Sequence, residues 1–244
     1  MKDKNSHLPV SAGKLTYFFR KLFRLKTVTF SDGLRVCVGS QLPRGIRRAI
    51  YKETYELKER KLVHAVLQEN DRVLEVGSGI GIVASTCARI CGPENITCYE
   101  ANPQTAEYIK RNFALNGMKP QLRMKAMASY SGVIKFFIND NILSSSLNDR
   151  DFGGETELPC DDLVEVLKEL KPNVLVMDVE GAEVDLLPLV DLSNIEKIII
   201  ELHPWVVGEA KIQDLVNSLL ESGFRRDDDT ASSDDVVCFM RQGL

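Results

Sequence analysis

The chain has no C-x-x-C pair, although six cysteines are present: Cys37, Cys87, Cys91, Cys98, Cys160 and Cys238. Cys87 and Cys91 lie one helical turn apart, which suits core packing. Without metal-ligand spacing or a secretory leader, the six read as reduced thiols of a cytoplasmic protein, not as a disulfide framework. No apolar run reaches the ~18 residues of a membrane span. Linkers, low-complexity tracts and internal repeats are also missing. One globular unit of residues 51–244 is therefore expected, behind a lead-in of residues 1–50. A net charge of −4 disfavours a partner held through its phosphates, so no nucleic-acid partner is expected. Oligomeric state leaves no trace in the sequence.

One segment departs from this plain background. In "KLTYFFRKLFRLK", Lys14 to Lys26, the residues Leu15, Phe18, Phe19, Leu22 and Phe23 recur at helical spacing among basic residues, with no acid. Such a helix can lie on an anionic membrane as a peripheral contact, or lay its aromatic face on the domain. The second reading is preferred, because an unpartnered apolar stripe usually finds its own core.

After the lead-in, with a hairpin around Ser31-Asp32-Gly33, strands and helices alternate. Residues 51–69 read as a helix, "RVLEVG" as a strand, "IVASTCARIC" as a helix and "ITCYE" as a strand. "PQTAEYIKRNFALNG" is a helix closed by Asn116-Gly117, "QLRMKAMA" a third strand and "YSGVIKFFIND" a hairpin extension. "NVLVMD" and "IEKIIIEL" follow as strands, each preceded or followed by a helix, and the chain ends on two short strand candidates. The pattern predicts an α/β fold: a doubly wound, mostly parallel Rossmann-like sheet of about seven strands, with helices on both faces and a C-terminal antiparallel hairpin.

"LEVGSGIG" places Gly77, Gly79 and Gly81 directly after a strand, with Ser78 between the first two. Backbone N–H groups in such a turn can approach a ligand closely. The third glycine of the dinucleotide G-x-G-x-x-G fingerprint is absent, since Ile82 stands in its place. Glu75 precedes the turn, and a pyrophosphate would be repelled by it. Glu100 ends the next strand, where a carboxylate can bind ribose hydroxyls. This set resembles the class I S-adenosylmethionine (SAM) methyltransferases, whose donor carries an ammonium and a sulfonium. The resemblance implies that Glu75, Gly77 and Gly79 surround the methionyl part and that Glu100 holds the ribose. It also implies that Ala101, Asn102, Ala126 and Met127 lie about the adenine.

The stretch "VLVMDVEGAEVDLL" runs from a buried strand into Asp178, Glu180 and Glu183. Unpaired carboxylates beside an apolar core are costly, so these acids are expected to face a polar cleft at the carboxyl ends of the strands. "VMDVEGAEVDLL" together with "IIIELHP" resembles the FkbM family of methyltransferases. Tyr55 and Glu56, "SSSL" at Ser144 to Leu147 and "PCDDLVEVL" add to the likeness, which covers about residues 51–204. The family usually has an aspartate and G-A-N-x-G at its glycine turn; this chain has Glu75 and "GSGIG". The resemblance implies O-methylation of a hydroxyl on a sugar, glycolipid or other small molecule.

Transfer to a hydroxyl needs a base, worth about 10²–10⁴-fold. Asp178 is the first choice, His203 the second, and Glu180 the third; Glu180 and Glu201 serve to orient substrate or His203. Tyr55, Glu56, Ser145 and Glu201 are the candidate substrate contacts. Mg²⁺ at Asp178 and Glu180 is the rival explanation of the acids. Glu183 and Asp185 are assigned to the first turn of a helix, where acids complement the dipole. The alternatives are an N-methyltransferase, a dinucleotide oxidoreductase or a SAM-binding module without catalysis. The N-P-P-Y motif of nucleic-acid amine methylases is absent after the fourth strand, where "DVEG" would repel phosphates.

Overall fold

In the computed structural model, residues 8–139, 153–227 and 235–243 are described. Helix α1 (Lys14–Leu22) precedes an antiparallel hairpin of β1 (Thr27–Thr29) and β2 (Arg35–Cys37). Helices α2 (Arg44–Lys52) and α3 (Leu57–Val66) follow. The lead-in is thus folded. The helix expected over 51–69 is two, because Glu53 and Glu56 take the left-handed conformation (φ 59° and 47°) and break it.

Next come β3 (Val73–Val76), α4 (Ile82–Cys91), β4 (Ile96–Tyr99), α5 (Ala106–Leu115) and β5 (Gln121–Arg123). The predicted third strand ends early: the chain turns at Lys125, and β6 (Ala126–Ala128) leaves the main sheet. It pairs with β8 (Gly153–Asp162), which also pairs with β7 (Gly132–Asn139). Then follow α6 (Leu163–Leu170), β9 (Val174–Met177), α7 (Glu183–Leu186) and β10 (Lys197–Glu201). The last elements are α8 (Pro204–Val207), α9 (Glu209–Glu221), β11 (Phe224–Arg226) and β12 (Val236–Arg241).

The main sheet has seven strands in the order β11-β12-β10-β9-β3-β4-β5. From β10 to β5 the neighbours are parallel, and β12 alone runs against the two strands beside it. This is the doubly wound architecture, with its C-terminal antiparallel hairpin, that the sequence predicts. Strands β3 and β9 are buried on both faces. Leu74, Val76, Leu175 and Met177 join one apolar cluster, while Val73, Val174 and Val176 join the other. Side chains of successive strand residues alternate between faces, so one short run feeds both cores.

Register then sets the site. Val76 pairs with Met177, and Met177 with Ile200. Gly77, Asp178 and Glu201 therefore leave or end their strands at one level. Between β3 and β9 the strand order reverses, and that is where an open α/β sheet binds ligands.

The hairpin is fastened to the core by a buried charge pair. The Arg60 guanidinium, fully buried, hydrogen-bonds Asp32 and lies 4.5 Å from the centre of the Phe30 ring. Burial would raise the Asp32 carboxyl, but hydrogen bonding to His64 and the Arg60 charge hold it well below the usual range. Two guanidinium nitrogens, Nε and Nη1, have no other hydrogen-bond partner. Removing Asp32 strands that charge, so Asp32→Ala is expected to cost about 3–5 kcal/mol in denaturant-induced unfolding.

Candidate functional site

The glycine turn and the end of β9 touch. Gly77 has φ 89°, and a Cβ placed there would lie 1.7 Å from the carbonyl oxygen of Asp178. Only glycine allows this approach. The Asp178 amide donates to the Val76 carbonyl at 2.9 Å, tying the two strand ends together.

Glu75 is 1% exposed. The Ser78 hydroxyl donates to its Oε2, while its Oε1 has no hydrogen-bond partner. Burial lifts the Glu75 carboxyl to about 8, against the Ser78 hydrogen bond, with nearby Glu100 adding to the rise. The Ser78 hydroxyl thus supports Glu75, and Ser78 is as deeply buried as its partner. Glu100 accepts from the amides of Gly79 and Asn102, each at 2.7 Å, yet burial still raises it to about 7. Both oxygens keep a lone pair, which suits hydroxyl donors such as those of a ribose. Asn102 is buried and caps the turn after β4 by accepting from the Gln104 amide, and Ala101 stands beside it half-buried. Ala126 and Met127 are buried in β6, Met127 within the larger apolar cluster. Gly81 precedes α4 with φ 78°.

Across the turn, Asp178, Glu201 and His203 bring their ligand atoms within 4.8 Å of one another. His203 Nδ1 lies 3.2 Å from Glu183 Oε1, which also accepts from the His203 amide at 3.2 Å. Glu183 Oε2 accepts from the Gly181 amide at 2.8 Å. With Nδ1–H facing Glu183, Nε2 is directed at Asp178 Oδ1, 3.5 Å away. Burial opposes charge on His203, but its hydrogen bond to Glu183 and the fields of Glu201 and Glu180 raise its pKa. Withdrawal from water lifts Asp178 well above the usual range, and Glu201, Glu180, Glu56 and Glu59 lift it further. Glu201 stands at about 7, mainly through burial.

Glu183, which the sequence assigns to a helix turn, in fact does both jobs: it binds a backbone amide and orients the histidine. Its signal was available. Strands β9 and β10 are neighbours, so an acid after the first can meet a histidine after the second. Glu180 adopts φ 53°, a strained conformation for a non-glycine residue. It lies close enough to raise Asp178 but is not in the metal-sized group. That group includes an imidazole, which matches Mg²⁺ poorly because Mg²⁺ takes oxygen ligands.

Tyr55 and Glu56 reach the same cleft. Burial raises the Tyr55 hydroxyl, as do Glu56, Asp178 and Glu100 around it. Glu56 Oε2 is buried without a hydrogen-bond partner. Glu59, on the next turn of α3, was not singled out by sequence, where it reads as one surface charge among several. It is half-buried and contributes to the fields on Glu56, Asp178 and Glu201. Ser145, with its neighbours Ser144 and Ser146, lies outside the described residues. Trp205 is 62% exposed and stands edge-on to His203, with ring centres 5.2 Å apart.

Among the described residues, the carboxyl groups of seven, Glu56, Glu59, Glu75, Glu100, Asp178, Glu180 and Glu201, lie close enough to act on one another's charge about this cleft. The nearby cations Lys58 and Arg60 are bound to Asp235 and Asp32. A cleft of this kind attracts a cation. SAM fits it: beside the glycine turn, Glu75 has a buried oxygen without a hydrogen-bond partner and Glu100 has acceptors for hydroxyls.

Comparisons with known proteins bring methyltransferases to this chain. The family model of the TRM5/TYW2 methyltransferase domain matches residues 38–142. Hexuronic acid methyltransferase AglP of Haloferax volcanii is 29% identical over 165 residues, 62% of this chain and 67% of that protein. Ribosomal protein L11 methyltransferase of Bacillus pumilus is 33% identical over 67 residues, 28% of this chain and 21% of that one. Among solved structures, a ribosomal protein L11 methylase from Lactobacillus delbrueckii subsp. bulgaricus matches with a TM-score of 0.46 and 17% identity. It covers 77% of this chain and 79% of that one. The matched domain and relatives support a class I SAM-dependent methyltransferase.

Two outcomes test this electrostatic description. A carboxyl with a higher pKa folded than unfolded binds more protons in the native state between the two values. Its stability contribution is complete below about 4.5, the ordinary value, and is lost as pH climbs through about 7 for Glu100 and about 8 for Glu75. The melting temperature of the ligand-free protein should therefore fall from mildly acidic pH to pH 8, and Glu75→Gln should flatten that slope. Gly77→Ala should abolish SAM binding in calorimetry, since its methyl would overlap the Asp178 carbonyl.

Proposed function

We propose that the chain is an O-methyltransferase of the FkbM type, moving the methyl group of SAM to a hydroxyl of a sugar, glycolipid or similar small molecule. The observation that carries this reading is the line of Asp178, His203 and Glu183 beside the glycine turn. SAM supplies the electrophilic methyl group; the chain supplies position and a route for the proton. Asp178 is 39% exposed at its side chain and His203 only 2%, so Asp178 meets the acceptor. It takes the hydroxyl proton and shares it with His203 Nε2, while Glu183 fixes the tautomer through Nδ1. Both groups have raised pKa values. Positive charge brought into the cleft lowers them and frees the pair to act as a base, which titrates as a unit. Trp205 offers an exposed apolar face for the acceptor beside the buried histidine.

The relative that acts on a hexuronic acid favours a sugar acceptor. The match to the TRM5/TYW2 domain favours a second reading, methylation of RNA. The seven carboxyls weigh against it, because they repel a phosphate backbone at the site of transfer.

Transfer of labelled methyl groups from SAM to a panel of hexuronides, neutral glycosides and total tRNA decides between the two. Glycoside or hexuronide labelling is expected. Asp178→Asn should lower kcat/KM by about 10²–10⁴-fold, as expected for loss of a general base. Trp205→Ala should raise KM and leave kcat near that of the wild type. Glu183→Gln should shift the pH–rate profile. Labelling of tRNA alone would overturn the proposal in favour of the second reading.

A further inference from the structure

Helix α1 is amphipathic and docks the wrong way round for a core helix. Its partly buried positions are Tyr17 and Arg20, three residues apart. Arg20 forms an ion pair with Glu53 at 2.9 Å and donates to the carbonyls of Tyr51 and Thr29 at 3.0 and 2.6 Å. Glu53 also accepts from the Ser31 amide at 2.6 Å, so the polar anchor is itself held by the hairpin. The apolar stripe faces outward. Leu15, Phe18, Phe19, Leu22 and Phe23 are exposed by 49% to 69%, and α1 contributes no buried residue. Phe19 stacks on Phe23 with ring centres 6.2 Å apart, and Phe18 meets Phe19 edge-on at the same separation, so the patch is continuous. The structure thus overturns the preferred sequence reading, in which this face covers the domain.

The stripe borders a groove of about 1880 Å³ whose wall includes Phe18 and Leu22. Among the described residues, that groove is lined by eight lysines and arginines, from α1 and its exit, α2 and α5, and by one acid, Glu107. Glu107 already pairs with Lys110 at 3.2 Å. Arg44, Arg47 and Arg48 of α2 form the floor's basic row, and Arg47 Nε has no hydrogen-bond partner.

From these observations we infer that α1 and the basic groove form a docking face for an anionic lipid bilayer. Apolar rings enter the acyl boundary while the surrounding cations meet the headgroups. Charge complementarity selects the occupant: the surface is basic, its apolar part is aliphatic and phenyl, and α1 carries no acid. Among the described residues, no helix is long and apolar enough to cross a membrane, so the contact is peripheral. This inference is independent of which acceptor is methylated.

The test is flotation of the full chain with phosphatidylcholine vesicles, with and without phosphatidylserine, at low and high salt. Binding is expected to anionic vesicles, to weaken with salt and to be lost on neutral ones. Arg44→Ala, Arg47→Ala and Arg48→Ala together should weaken it on the order of 100-fold. The second variant, Phe18→Ser with Phe19→Ser and Phe23→Ser, should also lose binding while keeping the wild-type melting temperature and SAM affinity, since none of the three is buried. Absence of binding to anionic vesicles would overturn the inference. So would unchanged vesicle binding in the Phe variant, or a groove whose arginine substitutions impair tRNA binding but not vesicle binding.

Discussion

The site depends on one contact: the backbone of Gly77 against the carbonyl of Asp178. It joins the ends of two strands that are adjacent in the sheet but about a hundred residues apart in the chain. Because β3, β9 and β10 are in register, that contact also fixes the level of Glu201 and, two residues on, of His203. A bulkier residue at Gly77 would push the two strand ends apart and carry Asp178 away from the glycine turn. The arrangement of the acids is thus a consequence of backbone packing before it is one of charge.

Charge then explains why the cleft has its character. Burial is the main cause of the raised values of Glu75, Glu100 and Glu201, and neighbouring carboxyls add to it at Glu75 and Glu201. Proton uptake by these three groups relieves that cost. A cationic occupant relieves it by supplying opposite charge, so occupant and protons compete for the same groups. The same competition makes the Asp178–His203 pair responsive to what the cleft contains, whereas Glu183 is held in place by two backbone amides and the ring.

Much of this was legible in the sequence. The alternation of strands and helices gives the doubly wound sheet, and the hairpin at Ser31-Asp32-Gly33 is present as expected. Glu75, Glu100, Asp178 and His203 follow from their places at strand ends, because a parallel sheet gathers those ends on one edge. What escaped depends on tertiary partners. Nothing local marks Glu59 as a member of the cleft. Glu183 satisfies a helix-turn rule so well that its second partner, distant in sequence, goes unnoticed. The break at Glu53 and Glu56 needs the ion pair from Arg20 and the cleft to make left-handed glutamates worthwhile. The early end of the third strand needs β8 as a competing partner for β6.

The outward face of α1 shows the same limit from the other side. A helical stripe of Leu and Phe predicts burial when only the stripe is considered. It does not reveal that Arg20, on the opposite face, has three carbonyl or carboxylate partners waiting in the hairpin and α2. Rotating α1 to bury the phenyl rings would break the three contacts of Arg20 and leave the buried Glu53 carboxylate without its cation. The helix is therefore oriented by its ion pair, and its apolar side is left for another surface. A net charge of −4 conceals this division, because the acids gather in the cleft while cations line the groove beside α1. Each region attracts a partner of the opposite sign.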